Sequence, residues 1–176
     1  MSNQPHPKAF DPKDLDRSLE DSDRLIMAET ILAWADLDTS ISRLILLLFG
    51  VRDDAGSILI GNMDLKTKVE KIKLLHAHYG LDDHAKSFAA LSSKMQEFSK
   101  CRNTVAHRKC IGKSLSDPTR LIFISAKHVK GQPDVFEMLS VDHSELIASA
   151  FFARQASQSI ADMIGEIEDA RDGTQA

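Results

Sequence analysis

The chain has 176 residues, 43% hydrophobic and 27% charged, which suits one domain with decorations and excludes a disordered chain. Its longest apolar run, residues 44–51 (LILLLFGV), has eight residues, short of the roughly 20 that a membrane-spanning helix needs. A formal net charge of −4 excludes a surface that is basic all over.

Residues 1–17 hold three of the five prolines and are expected to form a flexible leader. No apolar export signal is visible there, so the two cysteines are expected as free thiols in a reducing compartment, the cytoplasm. A single helical domain is expected over residues 18–170, with 171–176 frayed. Its first helix should run from about residue 18–21 to Phe49. The apolar stripe is Met27, Ile31, Trp34, Ile41, Ile45 and Leu48, with Leu37 and Leu44 alongside. Trp34 is a core residue by this pattern, and Gly50 supplies the stop. Asp38 interrupts the stripe and must face inward or towards an interface.

Residues 51–64 (VRDDAGSILIGNMD) read as a loop. Leu65, Val69, Ile72, Leu75 and Tyr79 mark a second helix ending at Gly80, with Lys66, Lys68, Lys71 and Lys73 around Glu70 as its solvated face. His76, His78 and His84 cluster at the following turn and read as a solvated helix end. Asp82 or Asp83 can cap a third helix, whose seam is Phe88, Leu91, Met95, Phe98, Arg102 and Val105, in alternating steps of three and four. Arg102 is the charged intruder in that series.

Beyond Ile111 the periodicity changes. Residues 121–126 (LIFISA) and 135–141 (VFEMLSV) predict two strands of a β-hairpin, spanning about 120–141. Asp142 with Glu145 is a capping pair for a last helix to about Glu168, whose inner face is Leu146, Ala150, Ala153, Ser157, Ile160, Ile164 and Ile167. His128 and His143 receive no role. The expected fold class is all-α: an up-and-down four-helix bundle with a small β-hairpin inserted between the third and fourth helices.

Residues 94–113 carry six basic side chains (Lys94, Lys100, Arg102, Arg108, Lys109 and Lys113) against Glu97 alone, a local charge of +5 on an acidic chain. A guanidinium on a helix seam needs an acid partner or an anion. Asp38 is the expected partner, and an arginine it orients could still offer part of its fork to a phosphate. On an ideal helix His107 lies about 140° from Arg102, whereas Asn103 and His107 share a face. A symmetric dimer would bring two such helix ends to one cleft. Cys101, His107 and Cys110 lack the paired spacing of a zinc site, and GKS at 112–114 lacks the upstream glycine of a P-loop, so neither metal nor cofactor is expected.

Arg102-Asn103-Thr104-Val105-Ala106-His107 resembles the R-x4–6-H motif of the HEPN domains (higher eukaryotes and prokaryotes nucleotide-binding). Its place at the end of a heptad-patterned third helix, and the segment Trp34-x-x-Leu37-Asp38, are similar to that family over roughly residues 20–168. Arg108 departs from the glycine that many members carry after the histidine. The resemblance implies an all-α homodimer acting as a metal-independent endoribonuclease in defence or as a toxin. His107 would be the general acid or base and Arg102 the stabiliser of the phosphorane. Asn103 would position the phosphate or His107. Lys100, Arg108 and Lys109 would hold RNA, and an antitoxin or a nucleotidyltransferase would be a possible partner. The resemblance also allows a catalytically silent RNA-binding or scaffold module. A reading of a different class makes Arg102 and Asp38 a buried pair that only fixes helix register.

Overall fold

The computed structural model describes residues 12–51, 53–129 and 132–173. Among them are five helices and one four-stranded antiparallel sheet, and the fold is mostly helical. No helix among the described residues is long and apolar enough to cross a membrane.

Helix α1 (Asp21–Phe49) begins where the Glu20 N–H donates to Asp23 Oδ2 at 2.8 Å. It ends at Gly50, whose φ of 63° is the left-handed conformation expected of that glycine. A helix the loop reading missed follows, α2 (Asp53–Ile60), with Gly56 against the Leu46 side chain and Ile60 in the core. Eight residues with a glycine inside are too few to display a helical period. Helix α3 (Leu65–His78) is capped by Asp64, which accepts from the Thr67 N–H at 2.7 Å. Helix α4 (Asp82–His107) takes Leu81 as its capping residue, so Asp82 and Asp83 lie in its first turn rather than at the cap. Helix α5 (His143–Gly173) starts on the expected pair: Ser144 N–H donates to Asp142 Oδ1 and Asp142 N–H to Glu145 Oε2, each at 2.8 Å. It continues through 171–173, where fraying was expected; residues 174–176 lie outside the described residues.

The main core lies between α1 and α5, with α3 and α4 packed against it. Ala150 and Ala153 let α5 approach α1 closely, and Ser40 and Ser157 share a hydrogen bond at 2.8 Å. Trp34 is buried as expected and donates from Nε1 to Ser149 Oγ at 2.9 Å, which in turn donates to the Phe98 carbonyl. Partner numbers rise together along the two helices: Trp34 with Ser149, Ser40 with Ser157, Leu47 with Arg171. Helices α1 and α5 are therefore parallel, whereas the first and last members of an up-and-down four-helix bundle would be antiparallel. Residues 51–64, including α2, carry the chain back and add the extra pass.

The expected hairpin is the larger part of a four-stranded sheet. Strands β1 (Leu15–Asp16), β2 (Lys109–Ser114), β3 (Arg120–Val129) and β4 (Gln132–Asp142) lie in that order, each antiparallel to the next. Two residues of β1 and the weakly apolar KCIGKS of β2 carry no readable alternation. Residues 12–16, placed in the expected leader, therefore belong to the fold; residues 1–11 lie outside the described residues. Asp14 accepts from the hydroxyls of Ser114 and Ser116 and from the Ser116 N–H, which lashes the N-terminal strand to β2. Gly112 is required here. Its φ is 144°, and a Cβ would fall 2.0 Å from the Asp16 carbonyl oxygen.

Sheet and bundle meet in a second core. Leu121, Phe123, Val141 and Leu146 are buried there, and Ile26, Met27, Cys101, Val105 and Cys110 pack against them. This cluster fixes the C-terminal end of α4.

Candidate functional site

The seam of α4 is built as its spacing predicts. Phe88 and Met95 are buried, and Leu91, Phe98 and Val105 are partly so. Arg102 is half-buried, and its Nη1 donates to Asn103 Oδ1 at 3.0 Å. No carboxylate pairs with it among the described residues.

Asp38 does not hold Arg102. Its two carboxylate oxygens lie 2.8 and 3.1 Å from Lys68 Nζ, which also donates to Ser42 Oγ at 2.9 Å. Axial offset is the reason. The residues flanking Arg102 pack beside Ile26 and Met27, and Asp38 lies eleven or twelve residues further along α1, about 17 Å at 1.5 Å per residue. Lys68 is correspondingly buried, with only 6% of its side chain exposed, and is not part of a solvated face. Lys73, by contrast, pairs with Glu70 on the surface as that reading expects.

His107 is the last residue of α4 and is exposed, as is Asn103 one turn earlier. The helix is regular to its end, so the angular separation of Arg102 from His107 is not relieved by fraying. Arg108 then adopts extended backbone, φ −125° and ψ 152°, while its N–H donates to the Thr104 carbonyl at 3.0 Å. That change of direction turns its guanidinium onto the sheet, where Nη1 donates to Ser125 Oγ at 2.9 Å and Glu137 Oε2 at 3.0 Å. Arg108 is thus a tie between α4 and the hairpin, not an open phosphate contact. Lys113 is likewise withdrawn: it is buried, 2.6 Å from Glu20 and 3.7 Å from Asp23. The Glu20 hydrogen bond is the main reason its ammonium sits above the ordinary lysine range. Among the described residues, four basic residues of the cluster keep no carboxylate partner: Lys94, Lys100, Arg102 and Lys109. Lys100 and Lys109 are exposed near Arg102 and His107 in the chain.

The cysteines are packed thiols. Burial is the largest cause pushing both Cys101 and Cys110 above the ordinary thiol range, which disfavours thiolate chemistry. No group of three or more metal-ligating side chains forms among the described residues.

Two further histidines are held inside the fold: His143, which received no role and starts α5, and His76, which was expected at a solvated helix end. His143 Nε2 lies 3.0 Å from the buried Asp23 carboxylate, off the line of a hydrogen bond. His76 is 4% exposed and stacks between Phe88 and His84, with ring centroids 5.2 and 5.4 Å away. Its step of four from Ile72 continues the apolar face of α3, which is the signal that placed it inside. The side chain of His128 lies outside the described residues.

Comparison of the chain with protein-family models, curated proteins and solved structures found no match.

Proposed function

We propose that the protein is a HEPN-like, metal-independent endoribonuclease whose active site is composed across a homodimer. The observation that carries this reading is the state of Arg102: half-buried and hydrogen-bonded to Asn103, yet without a carboxylate among the described residues to neutralise it. A guanidinium fixed in place with its charge unspent suits a phosphate. Exposed Asn103 and His107 lie on the neighbouring face, with Lys100 and Lys109 to either side. In the proposed reaction the RNA 2′-oxygen attacks the adjacent phosphorus as its proton passes to a base. The bond to the 5′-oxygen breaks, and that oxygen takes a proton from an acid. The products are a 2′,3′-cyclic phosphate and a 5′-hydroxyl. His107 serves as base or acid, because an imidazole nitrogen can take up or give back a proton. Two chains are needed because one helix directs Arg102 and His107 about 140° apart.

One observation favours a catalytically silent RNA-binding or scaffold module instead. No side chain among the described residues orients His107, and a general base is ordinarily held by a third group. The deciding experiment is cleavage of total RNA in EDTA by the wild type, Arg102→Ala and His107→Ala. Cleavage lost in both variants, with melting temperatures unchanged, supports the enzyme. RNA binding without cleavage supports the silent module, and a requirement for divalent metal rules out the mechanism.

A further inference from the structure

At the other end of the bundle lies a cavity of about 660 Å³, broadly open to solvent and lined by His76, His84, Leu81, Met163, Glu166 and Ile167 among others. Its size is that of a small-molecule site, and its walls are mostly apolar. We propose that this cavity binds a small aromatic amine, an apolar ring bearing a protonated nitrogen. The inference is independent of the ribonuclease reading.

The buried imidazole of His76 supplies the first argument. Its Nδ1 lies 3.0 Å from the Ile72 carbonyl oxygen, and because a carbonyl only accepts, Nδ1 carries the proton. Nε2 is then a lone-pair acceptor with no protein partner among the described residues. Burial is the largest cause holding His76 below the ordinary histidine range; His84 adds to the shift and the Ile72 hydrogen bond opposes it. The ring therefore stays a neutral acceptor at physiological pH and calls for a donor from the ligand.

Charge supplies the second. Helices α1 and α3 end at this cavity, through Leu48 and His76, and α5 enters its last turns there, so three helices direct the negative end of their dipoles at it. The opposing N-terminus of α4 is offset by Asp82 and Asp83 in its first turn. Glu166 adds a carboxylate at the rim. Among the described lining residues Arg171 is the cation; it keeps its charge and directs it to the last turn of α1, where Nη2 donates to the Leu47 carbonyl at 2.8 Å. The aromatic column of Phe88, His76 and His84 gives a flat ring a surface to continue.

Tryptamine is the probe: an indole ring with an ammonium. Titrated into the full chain, it should bind saturably and shift the His76, His84 and Met163 side-chain NMR signals. Glu166→Gln and His76→Phe, the latter keeping the ring stack but lacking Nε2, should each weaken it by about tenfold, near 1.4 kcal/mol. Indole-3-propionate, with the same ring and the opposite charge, should bind at least about tenfold more weakly. Should His76→Phe fail to fold, the exposed Glu166→Gln carries the test alone. The proposal is overturned if tryptamine fails to saturate at millimolar concentration, if it shifts signals elsewhere, or if indole-3-propionate binds as well.

Discussion

Helix α4 joins two ends of the molecule that solve opposite problems. At its C-terminus a charged residue sits on a packing seam without an acid, and the polar groups around it face solvent. At its N-terminus a histidine of α3 is sunk among rings and apolar side chains, and lines a cavity. The first end offers positive charge; the second, fed by helix C-termini, is suited to receive it. Burial alone does not mark function at either end. What distinguishes both is a polar group whose position is fixed but whose hydrogen-bonding capacity is unspent. Lys68, more deeply buried than Arg102, is fully engaged by Asp38 and Ser42 and is structural.

The contrast can be broken at several strengths. The largest effect is expected at the C-terminal end, where His107→Ala and Arg102→Ala should each lower RNA cleavage by at least about 100-fold. Tryptamine binding at the far end should be unchanged; a parallel loss would show that the two ends are not independent. Next, Phe123→Ala in the second core should cost about 3–5 kcal/mol in urea unfolding, because it empties a fully buried site beneath the end of α4. A cost below about 1 kcal/mol would mean that this core does not hold the site. Asp38→Ala strands the buried Lys68 ammonium and should cost about 1–3 kcal/mol, reduced because the Asp38 side chain is 44% exposed. RNA cleavage should survive it, since Asp38 does not support Arg102. The smallest effect concerns acid. Hydrogen bonds from Ser114 and Ser116 hold Asp14 below its ordinary value of 3.8, so its stabilising contribution is present above that value and is lost as pH falls through the depressed one. Protection of the Ser116 amide from hydrogen exchange, relative to its intrinsic rate at each pH, should fall over that range, and Asp14→Asn should flatten the response.

Long amphipathic stripes made α1, α3, α4 and α5 legible, because their apolar positions recur over four or more turns. Short elements with few apolar positions were not: α2 has eight residues and is interrupted by Gly56, β1 has two residues, and β2 mixes one cysteine and one isoleucine with glycine and lysine. The anomaly at Arg102 was visible as a break in the heptad, and so was the one at Asp38. Their pairing was not, because spacing reveals which face a residue occupies and not how far one helix slides along another. Arg108 and Lys113 counted as free charge for the same reason. The acids that neutralise them, Glu137 and Glu20, lie 29 and 93 positions away. His76 was misread because imidazole was weighed as polar, although its four-residue step from Ile72 already put it on the inner face.

The parallel pairing of α1 with α5 bears on synthesis as well as on shape. Helix α1 is made before α5, with Leu37, Ile41, Leu44 and Ile45 waiting for a helix that begins nearly one hundred residues after α1 ends. Strand β1 waits in the same way for residue 113, nearly one hundred positions downstream. A nascent chain stalled before residue 143 would leave the part of the α1 face that α5 covers exposed, with only α3 and α4 packed against it. Folding of this domain is therefore tied to synthesis of α5, and a truncation before residue 143 removes the parallel partner of α1.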